Sequence, residues 1–352
     1  MDITPYLKLM VEKAASDLFF TSGAQIKIKI EGTLQSVGKS SLTKELVEAA
    51  AFRIMDGRVR QEFESAMEVD VAIALDDGSA RFRVNVFRQR GCVAMVLRLI
   101  PSKIPSIKDL GLPEILSDVV MSKRGLILMV GATGSGKSTT LAAMINHRNN
   151  NSSSHILTIE DPIEFYHPNL KSIINQREIS VDATSYATAL RAALREAPDV
   201  ILIGEIRDQE TMETALQLSN TGHLAISTLH ANNANQALER VINLFPQNSH
   251  KQLLMDLATN IRCVVSQRLI RDIQGKRCAA LELMMVTPHI SELILKGDLD
   301  EIKVAMTESG STGMQTFDMS LYNLYKEGRI ELEEALSNAD SRTNLEAKIN
   351  FG

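Results

Sequence analysis

Gly125-Leu-Ile-Leu-Met-Val-Gly-Ala-Thr-Gly-Ser-Gly-Lys-Ser138 sets an apolar run directly before the spacing G-x-x-x-x-G-K-[ST], filled here by Gly131, Gly136, Lys137 and Ser138. A polyphosphate needs several backbone N–H groups converging on it, which calls for close approach and positive φ at Gly131, Gly134 and Gly136. The helix-forming run from Thr140 to Ile145 adds its positive N-terminal end. Lys137 supplies charge for β- and γ-phosphates, and the Ser138 hydroxyl suits Mg²⁺. The expected cradle comprises Gly131, Ala132, Thr133, Gly134, Ser135, Gly136, Lys137, Ser138 and Thr139, with a nucleoside triphosphate and Mg²⁺ as its ligands.

Hydrolysis would also need carboxylates and further cations. Ile156-Leu-Thr-Ile-Glu-Asp-Pro-Ile-Glu164 ends an apolar run with Glu160, Asp161 and Glu164, where ligands of a parallel sheet lie. Asp161-Pro162 also fits the start of a short helix. In Asp199-Val-Ile-Leu-Ile-Gly-Glu-Ile-Arg-Asp208, Gly204 stands where most phosphate-loop enzymes keep a Mg²⁺-binding Asp, and Glu205 follows as the water-polarising base. The metal is left to Ser138 and water, with an acid of the preceding cluster as helper. Arg207 and Asp208 fit a surface pair or an N-cap equally well. His223 and His230 bracket one strand seven residues apart, on opposite faces, which excludes a shared metal; His230 is the better placed, at the carboxyl end. Arg83 and Arg98 alternate with apolar residues, as on a solvated sheet face, yet could also serve as mobile cations.

The elements that must position these residues divide the chain of 352 residues in two. Residues 1–100 show period-2 segments at 26–30, 69–75, 81–87 and 93–100, with helices expected near 5–16, 43–55 and 58–65: a small α+β module. Residues 101–113 hold three of the nine prolines and read as a linker. From 114 to 352, strands at 126–131, 156–160, 199–204 and 224–229 alternate with helices at 137–147, 184–196 and 209–220, which predicts a parallel sheet covered on both faces. Beyond about 234 the chain reads as mostly helical.

With 44% hydrophobic and 23% charged residues, the composition is that of a globular protein. A net charge of -5 argues against a general nucleic-acid or anionic-membrane surface. Cys92, Cys263 and Cys278 lack C-x-x-C spacing, so neither a disulfide framework nor a Cys-rich zinc site is expected, as in a reducing, cytosolic compartment. No run approaches the ~18 apolar residues of a membrane span, and the N-terminus lacks a signal-peptide core.

The loop 131–138, the acidic box Ile159-Glu-Asp-Pro-Ile-Glu-Phe165, Gly204-Glu205-Ile-Arg207-Asp208 and the two-histidine box Thr221 to His230 together resemble the secretion ATPases of type II, type IV pilus and type IV secretion systems. The resemblance covers nearly the whole chain. The short N-terminal part, Ala15-Ser-Asp-Leu18 and Arg81-Phe-Arg-Val-Asn-Val86 look like the pilus-retraction branch, the PilT/PilU family. Leu229 to Asn243, Ser266-Gln-Arg-Leu269 and Gly313-Met-Gln-Thr-Phe-Asp318 are similar to its PilU side. The Ala-Ile-Arg-Asn-Leu-Ile-Arg-Glu motif associated with retraction on the PilT side is replaced by Val286-Thr-Pro-His-Ile-Ser-Glu-Leu-Ile-Leu-Lys296.

The resemblance implies an α/β protein: a PAS-like N-terminal α+β domain, then a RecA-like P-loop ATPase core with a helical C-terminal region. It implies a cytoplasmic homo-hexamer that hydrolyses ATP with Mg²⁺, is recruited peripherally to the inner-membrane pilus base and its platform protein, and works with a paralogous retraction ATPase. It assigns Glu205 as catalytic base, Glu164 as the acidic-box carboxylate near Mg²⁺ and water, His223 and His230 as His-box residues, and Arg83 and Arg98 as arginines reaching the phosphates. An accessory subunit without autonomous retraction, and a pilus-extension or type II secretion ATPase, are the alternatives; direct nucleic-acid binding is not expected.

Overall fold

The computed structural model describes residues 1–30, 32–101, 103–309 and 313–351; Ser102, inside the expected linker, lies outside them. Two compact units emerge. One comprises Met1–Lys103 with Ile163–Tyr166 and Ser180–Asp182, the other Ile104–Pro162, His167–Ile179 and Ala183–Gly352.

The first unit is α+β, with helices α1 (Thr4–Glu12), α2 (Lys44–Arg53) and α3 (Gly57–Ala66), and strands β1 (Asp17–Thr21), β2 (Gln25–Ile30), β3 (Thr33–Ser41), β4 (Glu68–Ala74), β5 (Arg81–Gln89) and β6 (Cys92–Ile100). The strands form one antiparallel sheet in the order β3-β2-β1-β6-β5-β4. Alternation decides its faces: Phe82, Val84 and Val86 of β5 are fully buried with Phe20, Phe63, Val47 and Met10, while Arg81, Arg83 and Asn85 occupy the other face.

In the second unit the strands are β7 (Gly125–Val130), β8 (His155–Glu160), β9 (Ile173–Glu178), β10 (Val200–Ile203), β11 (Leu224–Leu229), β12 (Ile261–Arg271) and β13 (Arg277–Met285). The helices are α4 (Ile115–Val120), α5 (Lys137–Asn151), α6 (Tyr186–Ala193), α7 (Gln209–Asn220), α8 (Ala234–Asn243), α9 (His250–Asn260), α10 (Pro288–Lys296), α11 (Ile302–Glu308), α12 (Phe317–Lys326), α13 (Leu332–Asn338) and α14 (Arg342–Phe351). The sheet runs β13-β12-β7-β11-β10-β8-β9, parallel except for β13. Both faces are covered, which is why β7 is apolar without alternation. Leu126, Leu128 and Val130 pack on one side among residues of α6 to α10; Ile127 and Met129 pack on the other against α4 and α5. Truncating such a side chain, as in Leu128→Ala, costs about 2–5 kcal/mol.

Residues beyond 234 are mostly helical, as expected, in α8 to α14, but two strands not expected there, β12 and β13, extend the sheet on the far side of β7. β9 adds a further strand beside β8 through residues 161–172, which form no helix, so Asp161-Pro162 starts none. Helices α12 to α14 close a smaller core over Ile270, Cys278 and Ala280, tied down where Arg268 meets Asp340 at 2.7 Å and lies 3.9 Å over the Phe317 ring. The three cysteines are free, and burial pushes the Cys263 thiol up to about 12, so it is no nucleophile.

His167 is buried; its backbone N–H donates to Gln176 Oε1 at 2.8 Å, and its ring Nδ1 has no hydrogen-bond partner among the described residues. Burial pushes its pKa down from 6.5 to about 4. The unfolded chain therefore binds the extra proton between those values, and stability falls as pH drops through that window. Chemical denaturation at pH 7 and pH 5 should reveal a loss of about 2 kcal/mol from this group, absent in His167→Phe. An equal acid sensitivity in the variant would remove His167 as its source.

Candidate active site

β7 enters the glycine-rich loop, and α5 leaves it. Gly131, Gly134 and Gly136 have φ of +150°, +78° and +86°. Gly136 caps α5 without any side-chain bond, so the first amides of the helix face the loop. Lys137 Nζ donates to the carbonyl oxygens of Gly131 and Ala132 at 2.7 and 2.9 Å. The Ser135 hydroxyl is buried with no partner among the described residues. Positive-φ glycines, an uncapped helix start, a lysine and an orphaned hydroxyl together fit an anionic polyphosphate. Ser138 lies half-buried in the first turn of α5. No cluster of three or more His, Cys, Asp or Glu suited to a metal occurs among the described residues.

Parallel pairing of β7, β11 and β10 brings their carboxyl ends together. Glu205, just past β10, accepts from Arg207 Nε at 2.7 Å through Oε2, and its Oε1 lies 3.2 Å from His230 Nε2, just past β11. The Glu205 carboxylate is mostly buried and His230 half-exposed. The turn carrying Glu205 is pinned on both sides: Gly204 N donates to Ile159 O at 2.8 Å and Thr228 Oγ1 donates to Gly204 O at 2.6 Å. Asp208 accepts from Thr211 N and is the N-cap of α7, while Arg207 turns back to Glu205. The bond to Glu205 raises the Arg207 pKa further.

Glycine at 204 lets its neighbours come close: a Cβ there would lie 2.5 Å from the Tyr186 hydroxyl and 3.2 Å from Ile159 O, so a larger residue would have to displace them. Burial first, then the field of Asp161, holds the Tyr186 hydroxyl protonated well above its ordinary range. Glu160 accepts from Thr158 Oγ1 at 2.6 Å and Gln176 Nε2 at 3.3 Å.

Other candidates are placed differently. His223 precedes β11 at the end opposite His230, about 20 Å along a six-residue strand, with ring Nδ1 3.1 Å from both Thr221 Oγ1 and Leu218 O. Glu164 is exposed within Ile163–Tyr166 of the first unit. Arg83 and Arg98 sit opposite one another on β5 and β6, bonded to Asp70 at 2.8 Å and Asp17 at 2.9 Å.

Gln267 was not singled out from sequence. It is buried on β12, donates through Nε2 to Ser135 O at 2.9 Å, and accepts from Thr140 Oγ1 at 2.7 Å. A buried Gln in an apolar strand is the signal that marks it. A cavity of about 310 Å³ lies along the loop, bordered by Asn232, Gln267, Arg268 and Asn338. Another, of about 390 Å³, runs from Gly131 past His230 to Gln236 and Arg240.

The type II/IV secretion system protein family matches residues 1–345. The chain is 47% identical over 353 residues to the type IV pilus ATPase PilU of Pseudomonas aeruginosa, spanning 100% of this chain and 92% of that protein. It is 42% identical to the type IV pilus retractation ATPase PilT of the same organism, spanning 98% and 100%. The structure of the pilus retraction motor PilT with bound ADP superposes with a TM-score of 0.91 at 41% identity, covering 98% of this chain and 99% of that one. The Legionella pneumophila ATPase DotB superposes with a TM-score of 0.81 at 26% identity, covering 94% of each. Matched by the family over residues 1–345 and similar to these proteins over nearly its whole length, the chain belongs to the type II/IV secretion system protein family.

Proposed function

We propose that this chain is an ATPase motor of type IV pilus retraction, coupling ATP hydrolysis to pilus disassembly. The observation that carries the chemistry is the meeting, at the carboxyl ends of β7, β10 and β11, of the phosphate loop with the Glu205–His230 pair. Full-length similarity to PilU and PilT supports the pilus as the substrate. In this reading Lys137 and the loop amides hold the triphosphate, and Glu205 accepts a proton from the attacking water, oriented by His230 and Arg207. When bound at Ser138, Mg²⁺ supplies charge neutralisation on the bridging phosphate oxygens, with Glu164 as our candidate for a carboxylate near its waters. His223 serves the site only indirectly, through β11. Arg83 and Arg98 are proposed as further phosphate-directed cations. The working assembly is a homo-hexamer at the cytoplasmic face of the pilus base, cooperating with a paralogous motor and the membrane platform. No helix among the described residues is long and apolar enough to cross a membrane.

One feature favours an accessory role beside that paralog: Val286–Lys296, where the PilT-side motif would stand, has a different sequence and is helical, as α10, from Pro288 onward. Retraction measured with this chain present and the paralog deleted separates the two. Weak or absent retraction is expected; vigorous retraction would refute dependence on the paralog.

Glu205→Gln should retain ADP affinity and lose turnover by about 10²–10⁴-fold, whereas Lys137→Ala should weaken nucleotide binding itself. Phosphate-release and equilibrium-binding assays read both, and unchanged turnover in the Glu205 variant would rule it out as the base. Arg98 is exposed but its partner Asp17 is buried, so removing the arginine leaves a buried carboxylate without its cation and costs about 1–3 kcal/mol. Arg98→Ala should therefore melt below the parent and, at a temperature where both are folded, turn over roughly tenfold more slowly. Unaltered turnover would assign Arg98 to its Asp17 pair alone.

A further inference from the structure

Successive residues of a strand face opposite sides of its sheet. On β12 this puts Gln267 and Ser266 back to back between the two halves of the candidate site. Toward α5, the Gln267 carboxamide uses both its ends on the phosphate loop and its helix, through Ser135 O and Thr140 Oγ1. The loop also lies directly on this residue. A Cβ at Gly131 would fall 2.5 Å from Gln267 O, and one at Gly136 would fall 2.8 Å from Gln267 Nε2. The loop thus cannot move toward β12 without collision, nor away from it without stranding a buried amide and a buried hydroxyl.

Toward α8, Ser266 Oγ donates to Glu282 Oε1 at 3.1 Å, and the same oxygen accepts from Ala234 N at 2.8 Å. Ala234 is the first residue of α8, so the carboxylate faces a helix N-terminus. His230 lies four residues earlier, and residues 230–233 form no helix or strand. Glu282 and Ser266 are both buried. Burial pushes the Glu282 carboxyl above its usual range, against the opposing effect of these donors.

We propose that Ser266-Gln267 is a two-sided brace, in which Gln267 is a positioning residue for the phosphate loop and Glu282, through Ser266 and Ala234, one for the segment that carries His230. The two arms then have separable effects: the Gln267 arm sets nucleotide affinity, and the Glu282 arm sets turnover. The inference rests on the reading of residues 131–138 as the nucleotide cradle.

The test measures binding of a fluorescent ADP analogue and steady-state phosphate release on the full chain. Gln267→Leu should weaken ADP about tenfold or more; Thr140→Val should weaken it about threefold, and Thr140→Ser should restore it. Glu282→Leu should lower kcat about tenfold with ADP affinity within about twofold, and Glu282→Gln, which keeps an acceptor oxygen, should recover most of the loss. If Gln267→Leu fails to fold, the Thr140 pair carries the loop arm; if Glu282→Leu fails to fold, Ser266→Ala carries the second, through a kcat lowered about threefold at constant ADP affinity, with a parental kcat overturning it. Parental ADP affinity in Gln267→Leu or in Thr140→Val overturns the loop arm, provided Lys137→Ala has lost affinity. Parental affinity in Lys137→Ala as well means that the cradle reading itself fails. Parallel loss of affinity and kcat in a Glu282 variant, or parental kcat in Glu282→Leu, overturns the second arm.

Discussion

There is no space for a single carbon atom on the Cα of Gly131. The carbonyl of Gln267 stands 2.5 Å from where that atom would be and the Ser135 hydroxyl 2.6 Å away, and the backbone takes a φ that L-residues rarely adopt. This contact between β7's exit and β12 sets the curvature of the loop, and with it the direction in which α5 departs and the side to which its amides point. The helix is then held by its own burial, with Leu141, Met144 and Ile145 packed against Ile127 and Met129.

A comparable constraint shapes the second half of the site. Tyr186, at the start of α6, fills the space beside Gly204, and hydrogen bonds from Gly204 N and Thr228 fix the turn. Residue 204 carries no acid, and the one that follows it, Glu205, has its two carboxylate oxygens held by His230 and Arg207. Sheet order does the rest. Because β11 lies between β7 and β10, the groups that follow these three strands share one end of the sheet.

Local signals made much of this legible. The loop, β7, α5, β10, α7 and β11 are each announced by contiguous features: an apolar run, a glycine spacing, an N-cap such as Asp208. What was not legible depends on pairing between distant segments. β12 and β13 are not singled out within the mostly helical stretch because short apolar runs such as Cys263-Val-Val265 do not distinguish a buried strand from a buried helix. β9 was missed since an edge strand with Asn175, Gln176 and Arg177 carries little apolar pattern. The bond between Gln267 and Thr140 spans 127 residues, and nothing near either residue announces it. His223 and His230 looked alike in sequence, yet the length of β11 separates them. Arg83 and Arg98 suited either a solvated face or a phosphate; the structure gives each a carboxylate of its own sheet.

Catalysis here requires a triphosphate held by residues 131–138 with its terminal phosphate facing Glu205. A structure determined with a non-hydrolysable ATP analogue and Mg²⁺ tests this most directly. The expected result is Lys137 Nζ transferred from the carbonyls of Gly131 and Ala132 to β- and γ-phosphate oxygens, the Gln267 bonds to Ser135 and Thr140 retained, and Glu205 within one water of the γ-phosphorus. A triphosphate seated away from the loop, or with its γ-phosphate turned from Glu205, would contradict the account.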